Sequence, residues 1–183
     1  MSVSSRVAQI QWFRFALFAG CISLLTYGMQ PSSLYAGGVI TTSQYPPSQN
    51  QKLVMLVTHG YDQHWLSLAD IETLPLFDIE MTHPEGLSGI FTGVWLNDVI
   101  EQQGIAADQR VRLIALDNYS TFLDGEERAQ TRYLLVTRLD GEPIAIDKMG
   151  PLMLIAPDNL AAVRAGTMPL TRWIWSIKEL RQQ

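Results

Sequence analysis

The chain has 183 residues, of which 47% are hydrophobic, and its formal net charge is −5 at pH 7. This length and apolar content are typical of a globular domain with a substantial core, and they exclude a largely disordered chain. The acidic balance argues against a nucleic-acid partner, because no basic face is present to neutralise phosphates.

Residues 1–36 differ in composition from the rest and predict a cleaved secretory signal peptide. The stretch MSVSSRVAQIQWFR carries two arginines and no acid, and FALFAGCISLLTYGM is apolar but short for a membrane span. Ala36 supplies the small residue after which a peptidase would cut. Two alternatives stay open, an uncleaved membrane anchor and a lipoprotein cut before Cys21. Cleavage after Ala36 would remove two arginines, take the charge from −5 to −7 and leave a periplasmic protein.

Cys21 is the single cysteine in the sequence and lies within the predicted signal peptide. The exported protein would therefore have no thiol. This excludes a disulfide framework, a thiolate nucleophile and a thiolate-bound metal in the mature chain.

The first segments after the signal predict a tether followed by a strand and a short helix. Residues 37–51, GGVITTSQYPPSQNQ, read as a flexible linker, so order is expected to begin near Lys52. KLVMLVTHG (52–60) is a strand candidate followed by a polar turn. SLADIETLP (67–75) predicts a helix capped by Ser67, with Asp70 three residues on.

The middle of the chain predicts a half-buried strand and then a capped helix. FDIEMTH (77–83) alternates apolar and polar residues, as a strand with one buried face does. Thr92 is the expected cap of a helix over 93–103, and Gly104 suits the C-terminal end of that helix.

The last third predicts further strands. RVRLIALD (110–117), TRYLLVTRLD (131–140) and PLMLIAP (151–157) have strand composition, and Asp140-Gly141 is a turn signal. RWIWSIKEL (172–180) is ambiguous between strand and amphipathic helix, and its alternating tryptophans favour a strand. The predicted class is α+β with mixed, mostly antiparallel sheets and short helices.

Familiar catalytic motifs do not occur in the sequence. It has no HExxH, no GxSxG and no glycine-rich phosphate loop. His59 and His64 are expected around a surface turn, without a converging carboxylate. We therefore predict no catalytic residue and no metal ligand.

A set of polar and aromatic residues at strand ends remains. Together they offer stacking surfaces, hydrogen-bond donors and acceptors, which a flat heteroaromatic ligand requires. The alternative is ordinary turn chemistry for the polar residues, with the tryptophan in the core. The candidates are Thr82, His83, Asp117, Asn118, Tyr119, Ser120, Asp147, Lys148, Arg172 and Trp173.

The order of several segments resembles the sulfite-oxidase-type molybdopterin-binding domain, above all its short, secreted, single-domain members. The similarity covers about residues 52 to 181 and implies a sulfite-oxidase-like domain over residues 52–183. The segments are SLADIETLP, FTGVWLNDVIEQQGI, ALDNYS, YLLVTRLDGEPIAIDKMGPLMLIAP and RWIWSIKEL.

The resemblance also shows a departure from the catalytic members. In those members a cysteine before the FxGVxL region ligates molybdenum, whereas the corresponding stretch here reads MTHPEGLSG. His83 does not replace a thiolate simply. We expect a non-catalytic pocket that binds no metal. A molybdopterin-dependent oxidoreductase with an atypical ligand set, and an interaction protein with a vestigial pocket, are the alternatives.

The short members to which this chain is similar include proteins that bind free reduced pterins. These act on the periplasmic domain of a membrane receptor that controls cyclic di-GMP synthesis or breakdown. The resemblance implies the same ligand and partner here. It places Thr82, His83, Asn118, Tyr119, Lys148, Arg172 and Trp173 on the pterin side of the pocket.

Individual roles in pterin binding follow from side-chain chemistry. Tyr119 or Trp173 would stack on the ring, and Asp117 or Asp147 would accept from its amino-pyrimidine edge. Lys148 and Arg172 would donate to ligand oxygens. The short members more often have Asn before Asp ahead of that tyrosine. Since the order here is Asp117-Asn118, either could reach the ligand.

Overall fold

The computed structural model describes residues 38–183, and the signal peptide predicted over 1–36 lies outside these residues. Four helices and eleven strands occur in this part of the chain. The helices are α1 (Leu68–Ile71), α2 (Leu96–Gln102), α3 (Gly125–Gln130) and α4 (Leu160–Arg164). The strands are β1 (Ile40–Thr42), β2 (Leu53–His59), β3 (Asp62–Ser67), β4 (Phe77–Thr82), β5 (Ser88–Trp95), β6 (Val111–Ala115), β7 (Ser120–Leu123), β8 (Leu134–Leu139), β9 (Glu142–Pro143), β10 (Met153–Ile155) and β11 (Ile177–Gln182).

The strands form two sheets. The first has the order β1-β4-β5-β8-β10, with β9 paired to β8, and all its pairs are antiparallel. The second has the order β3-β2-β11-β6-β7, and its one parallel pair joins β11 to β2. The predicted α+β class with mostly antiparallel sheets is confirmed. Buried apolar residues of both sheets, such as Met55, Leu113, Phe91 and Leu135, belong to one core.

Residues 38–51, which were predicted as part of a flexible linker over 37–51, contain a strand and form hydrogen bonds with the rest of the domain. Ile40–Thr42 pairs with β4 as an edge strand. The backbone N–H of Ser48 donates to Glu72 Oε2 at 2.7 Å, and the carbonyl of Pro46 accepts from Arg138 at 2.9 Å. Glycine, serine and proline content carries no information about these partners, which are distant in sequence. Because of these contacts, the ordered domain begins well before Lys52.

The predicted helix over 93–103 begins later than expected, because FTGVW belongs to β5. Thr92 does not cap a helix; it is buried in the strand, and its hydroxyl donates to Asp78 at 2.6 Å. Gly93 lies between β4 and β8, where a Cβ atom would collide with the backbone of Leu135. Gly104 follows α2 with φ +72°, as predicted.

Two local predictions, the cap at Ser67 and the turn at Asp140-Gly141, are confirmed. Ser67 and Asp70 form the expected capping box of α1, although that helix ends at Ile71, well before Pro75. Asp140 and Gly141 both have positive φ and join β8 to β9. The turn expected after the strand candidate 52–60 consists of Gly60 and Tyr61, and strand β3 follows it directly, with Asp62 paired to His59.

The C-terminal strand begins after the two tryptophans rather than including them. Leu170–Arg172 forms a 3-10 turn, the segment 173–176 is irregular, and β11 starts at Ile177. Two other 3-10 turns of the described chain are Ile146–Lys148 and Pro157–Asn159. Trp173 and Trp175 therefore lie on an irregular segment and not on one face of a strand.

Candidate functional site

A cavity of about 590 Å³ lies where the segment 173–176 passes between the two sheets. Its volume suits a drug-sized or cofactor-sized molecule. Aromatic and aliphatic side chains dominate the lining, with two carboxylates among them. The lining residues are Glu85, Ala115, Leu116, Asp117, Tyr119, Ile146, Leu170, Thr171, Trp173, Ile174, Trp175 and Ser176.

Backbone hydrogen bonds fix the segment 173–176 to both sheets. The carbonyl of Ile174 accepts from Leu154 in β10 at 2.7 Å, and the carbonyl of Ser176 accepts from Leu116, just beyond β6, at 2.8 Å. Ser176 itself has φ +54°, an uncommon conformation for serine, and its N–H donates to Met149 at 2.8 Å. The cavity wall is therefore a constrained piece of backbone.

The β6–β7 turn supplies one edge of the cavity. Asp117 Oδ1 accepts from the backbone N–H of Tyr119 at 2.9 Å, an Asx turn that shapes the loop. Asn118 has φ +69°, a left-handed conformation that asparagine tolerates. Tyr119 is 48% exposed, and its hydroxyl donates to the carbonyl of Thr171 at 3.3 Å. Asp117 and Tyr119 thus line the cavity as candidates, with the tyrosine ring partly open to solvent.

Asn118 does not join them. Its side-chain oxygen accepts from Lys178 Nζ at 2.8 Å, and it is not a lining residue. In the order Asp117-Asn118, the aspartate is therefore the residue on the cavity side.

His83 lies behind the aromatic wall of the cavity and does not line it. It is 1% exposed, and its ring centroid is 5.4 Å from that of Trp173 and 5.8 Å from that of Trp175. The Nδ1 atom accepts from the backbone N–H of Glu85 at 3.2 Å. Burial lowers the pKa of His83 to about 4, so the ring is neutral at neutral pH.

Arg172 points away from the cavity although both its neighbours line it. Its Nε donates to Glu127 Oε1 at 2.6 Å and its Nη1 to Thr121 Oγ1 at 3.2 Å. The guanidinium is thus bound to β7 and α3. Arg172 does not line the cavity, and its role as a donor to the ligand stays a prediction.

Three further candidates lie outside the lining. Thr82 accepts through its hydroxyl from Ser88 at 2.9 Å and through its carbonyl from Arg164 at 2.9 Å. Asp147 and Lys148 are exposed in the 3-10 turn, where their neighbour Ile146 is the residue that reaches the cavity. Of the nine residues predicted to bind pterin, the cavity brings together Asp117, Tyr119 and Trp173.

Several lining residues were absent from the predicted set. Glu85 lies in the loop that follows β4, and Trp175 lies two residues beyond Trp173. The repeated tryptophan was a usable signal, because two aromatic rings on a short irregular segment can both face one cavity. Glu85 carried no such signal, since an acid in a turn-rich loop is usually solvated.

The charged residues of the cavity lining are all acidic. Glu85 and Asp117 are acidic, and no lysine, arginine or histidine is found among the lining residues of the described chain. An unpaired carboxylate at such an edge accepts hydrogen bonds and disfavours a nearby anion. The site therefore suits a ligand with a flat apolar body and hydrogen-bond donors.

No group of three or more His, Cys, Asp or Glu side chains in residues 38–183 is arranged to hold a metal ion. No helix among these residues is long and apolar enough to cross a bilayer. Comparisons of the chain with protein-family models and with curated proteins give no match.

Proposed function

We infer that this chain is a non-catalytic sensor that binds a free reduced pterin in the 590 Å³ cavity. The observation that carries this proposal is the lining itself, in which Tyr119, Trp173 and Trp175 surround a space of small-molecule size. A bicyclic ring gains both apolar burial and stacking from such walls. Asp117 and Glu85 provide acceptors for the donors on its pyrimidine edge.

The sulfite-oxidase-like domain is part of the same proposal. It is supported by the resemblance of the ordered segments and by two mostly antiparallel sheets with short helices. The cavity is lined by residues of ALDNYS and RWIWSIKEL, two of the segments on which that resemblance rests.

The residues present do not fit a molybdenum-bound pterin. The loop in which the resemblance places the ligand cysteine contains His83, whose Nδ1 accepts from the N–H of Glu85 and whose ring packs on Trp173. Cys21, the single cysteine, belongs to the N-terminal segment. The acidic lining also disfavours the phosphate that molybdopterin carries.

The proposed partner is the periplasmic domain of a membrane receptor that makes or degrades cyclic di-GMP. The resemblance to the short secreted members supports this part of the proposal. Ligand binding would alter the surface formed by the β6–β7 turn and by the Leu170–Arg172 turn, since both border the cavity.

The test is to identify what the protein carries when it is purified from cells that express the full chain. Mass spectrometry of released small molecules is combined with metal analysis of the same sample. A free reduced pterin without molybdenum is the expected result. Stoichiometric molybdenum with a dithiolene pterin would overturn the proposal and favour the oxidoreductase alternative.

A matched pair of variants tests whether the binding is at this cavity. Tyr119→Ala removes a lining ring, whereas Tyr61→Ala removes a fully exposed ring in the β2–β3 turn. The first should lose the co-purified pterin and the second should retain it. Equal retention by both would place the ligand elsewhere.

A further inference from the structure

Glu85 is a cavity residue to which neither the sequence motifs nor the resemblance assigned a role. It is exposed and lies in the loop 83–87 between β4 and β5. Its carboxylate makes no hydrogen bond or ion pair with any other residue of the described chain, although its backbone is held in place. An acidic residue at a cavity edge is suited to ligand recognition when its backbone is fixed and its carboxylate has no other hydrogen-bond partner.

The loop that carries Glu85 is well defined. The N–H of His83 donates to the carbonyl of Leu87 at 2.7 Å, and the N–H of Gly86 donates to the carbonyl of His83 at 2.8 Å. Gly86 has φ +93°, which favours glycine, and Glu85 is the third residue of a tight turn over residues 83–86. The backbone position of Glu85 is therefore set by three hydrogen bonds, including the one to the ring of His83 at 3.2 Å.

His83 connects this loop to the aromatic wall. One ring accepts from the Glu85 N–H and also packs against Trp173 and Trp175. Because the His83 ring is buried between the loop and the two tryptophans and has little room to move, it fixes the distance between the Glu85 backbone and the stacking surface.

Asp117, the second acid of the lining, differs from Glu85 in its hydrogen bonds. Asp117 Oδ1 already accepts from Tyr119, so this carboxylate also shapes its own turn. Glu85 has both oxygens available for a ligand that presents two adjacent donors. Two parallel hydrogen bonds to one carboxylate are the strong, directional arrangement known from guanidinium groups.

We propose that Glu85 is the specificity-determining residue of the cavity, pairing with the adjacent ring N–H and amino group of a pterin, and that His83 is its positioning residue. The inference rests on the proposed function, since it concerns the same cavity. The ligand class it names is an amino-substituted pteridine without phosphate. A pteridine with a carbonyl in place of the amino group would set an acceptor against the carboxylate and bind less well.

The test compares pterin with lumazine, in which the amino group of the pyrimidine ring is replaced by a carbonyl oxygen. Affinities are measured by calorimetry on the protein purified from cells expressing the full chain and freed of bound ligand. The wild type should bind pterin roughly tenfold or more tightly than lumazine, since the lumazine carbonyl is an acceptor and leaves one carboxylate oxygen without a donor. Glu85→Gln, whose amide has one donor and one acceptor, should reduce or reverse this preference.

Glu80→Gln is the matched control, because Glu80 is an exposed acid on the preceding strand and does not line the cavity. It should keep the wild-type ratio of the two affinities. His83→Leu, which lacks the acceptor, should lower that ratio, and His83→Asn, which restores a nearby acceptor oxygen, should recover part of it. The ratio of the two affinities distinguishes a positioning role from a general loss of folding, because a loss of folding would lower the affinity for both ligands alike.

The outcomes are distinguishable. If the wild type binds both pteridines equally and Glu85→Gln changes neither affinity, this inference is overturned and pterin binding stands. If the wild type binds neither compound, oxidised or reduced, the proposed function fails and this inference fails with it. A preference for pterin that Glu85→Gln leaves intact would assign the selection to another residue and also overturn the role of Glu85.

Discussion

The Nε of Arg172 donates to Glu127 Oε1 at 2.6 Å, and this contact ties the cavity wall to helix α3. The same carboxylate oxygen accepts from the hydroxyl of Tyr133 at 2.9 Å. The 3-10 turn that ends at Arg172 contributes Leu170 and Thr171 to the cavity. Glu127 therefore helps to hold a binding wall that it does not itself line.

From this contact we expect Arg172→Ala to act on the wall rather than on the ligand directly. The pair is partly exposed, so its loss should cost about 1 kcal/mol of unfolding free energy, measured by urea denaturation. Glu127→Gln should weaken pterin binding in the same direction as Arg172→Ala. Arg110→Ala breaks the more exposed pair with Asp124 and serves as the control. Weaker binding in Arg172→Ala with normal binding in Glu127→Gln would mean that the guanidinium contacts ligand.

Tyr119 should contribute mainly through its ring. We expect Tyr119→Ala to weaken pterin binding by about 1 to 3 kcal/mol, the usual scale for a lost stacking partner. Tyr119→Phe removes only the 3.3 Å hydrogen bond to Thr171 and should change the affinity little. Calorimetric titration of both variants decides between them. A large loss in Tyr119→Phe would show that the hydroxyl, not the ring, is the important group.

His83 should make the protein less stable in acid. An unfolded histidine titrates near pH 6.5, whereas burial lowers the pKa of His83 in the folded protein to about 4. Its contribution is therefore fully present above pH 6.5. It is lost as the pH falls toward 4, because the unfolded chain binds a proton that the folded one does not. At about 1.4 kcal/mol per pH unit, the loss approaches roughly 3 kcal/mol.

The corresponding measurement is the unfolding free energy between pH 7 and pH 4 in wild type and in His83→Gln. The variant cannot titrate at this position, so its stability should fall less steeply. His64→Gln makes the same substitution at an exposed histidine and serves as the control. Identical slopes in wild type and His83→Gln would contradict the assigned cause.

Glu72 and Arg138 form a buried ion pair that orders the N-terminal segment. Glu72 is 0% exposed and Arg138 is 7% exposed, with Arg138 Nε donating to Glu72 Oε1 at 2.9 Å. The same two side chains bind the backbone of Ser48 and Pro46. The hydrogen bond to the carboxylate of Glu72 raises the pKa of the Arg138 guanidinium.

Glu72→Ala should cost about 3 to 5 kcal/mol of unfolding free energy, because it leaves the Arg138 charge buried without a partner. The double variant with Arg138→Met should be less unstable than the sum of the two single variants predicts. Denaturant unfolding of all four proteins gives the coupling energy. Limited proteolysis near Ser48 should be faster in Glu72→Ala. Additive effects would show that the pair is not a coupled unit.

Local sequence patterns identified the features that depend on neighbouring residues alone. The Ser67–Asp70 cap, the Asp140-Gly141 turn and the alternating strand FDIEMT all formed as predicted. Such features depend on backbone preferences and hydrogen bonds over a few residues. Asp117, Tyr119 and Trp173 line the cavity, and their role in ligand binding stays a prediction.

The other features of the fold and of the cavity depend on contacts between residues distant in sequence. FTGVW became a strand because β4 and β8 lie on either side of Gly93, and the segment before Lys52 became ordered because Glu72 and Arg138 bind its backbone. Arg172 does not line the cavity, and its guanidinium donates to Glu127 and Thr121, each more than forty positions away in the sequence. Glu85 lies at the cavity because its backbone N–H donates to His83, which is buried against two tryptophans. Side-chain direction depends on partners distant in sequence, and their proximity is created only by the folded chain.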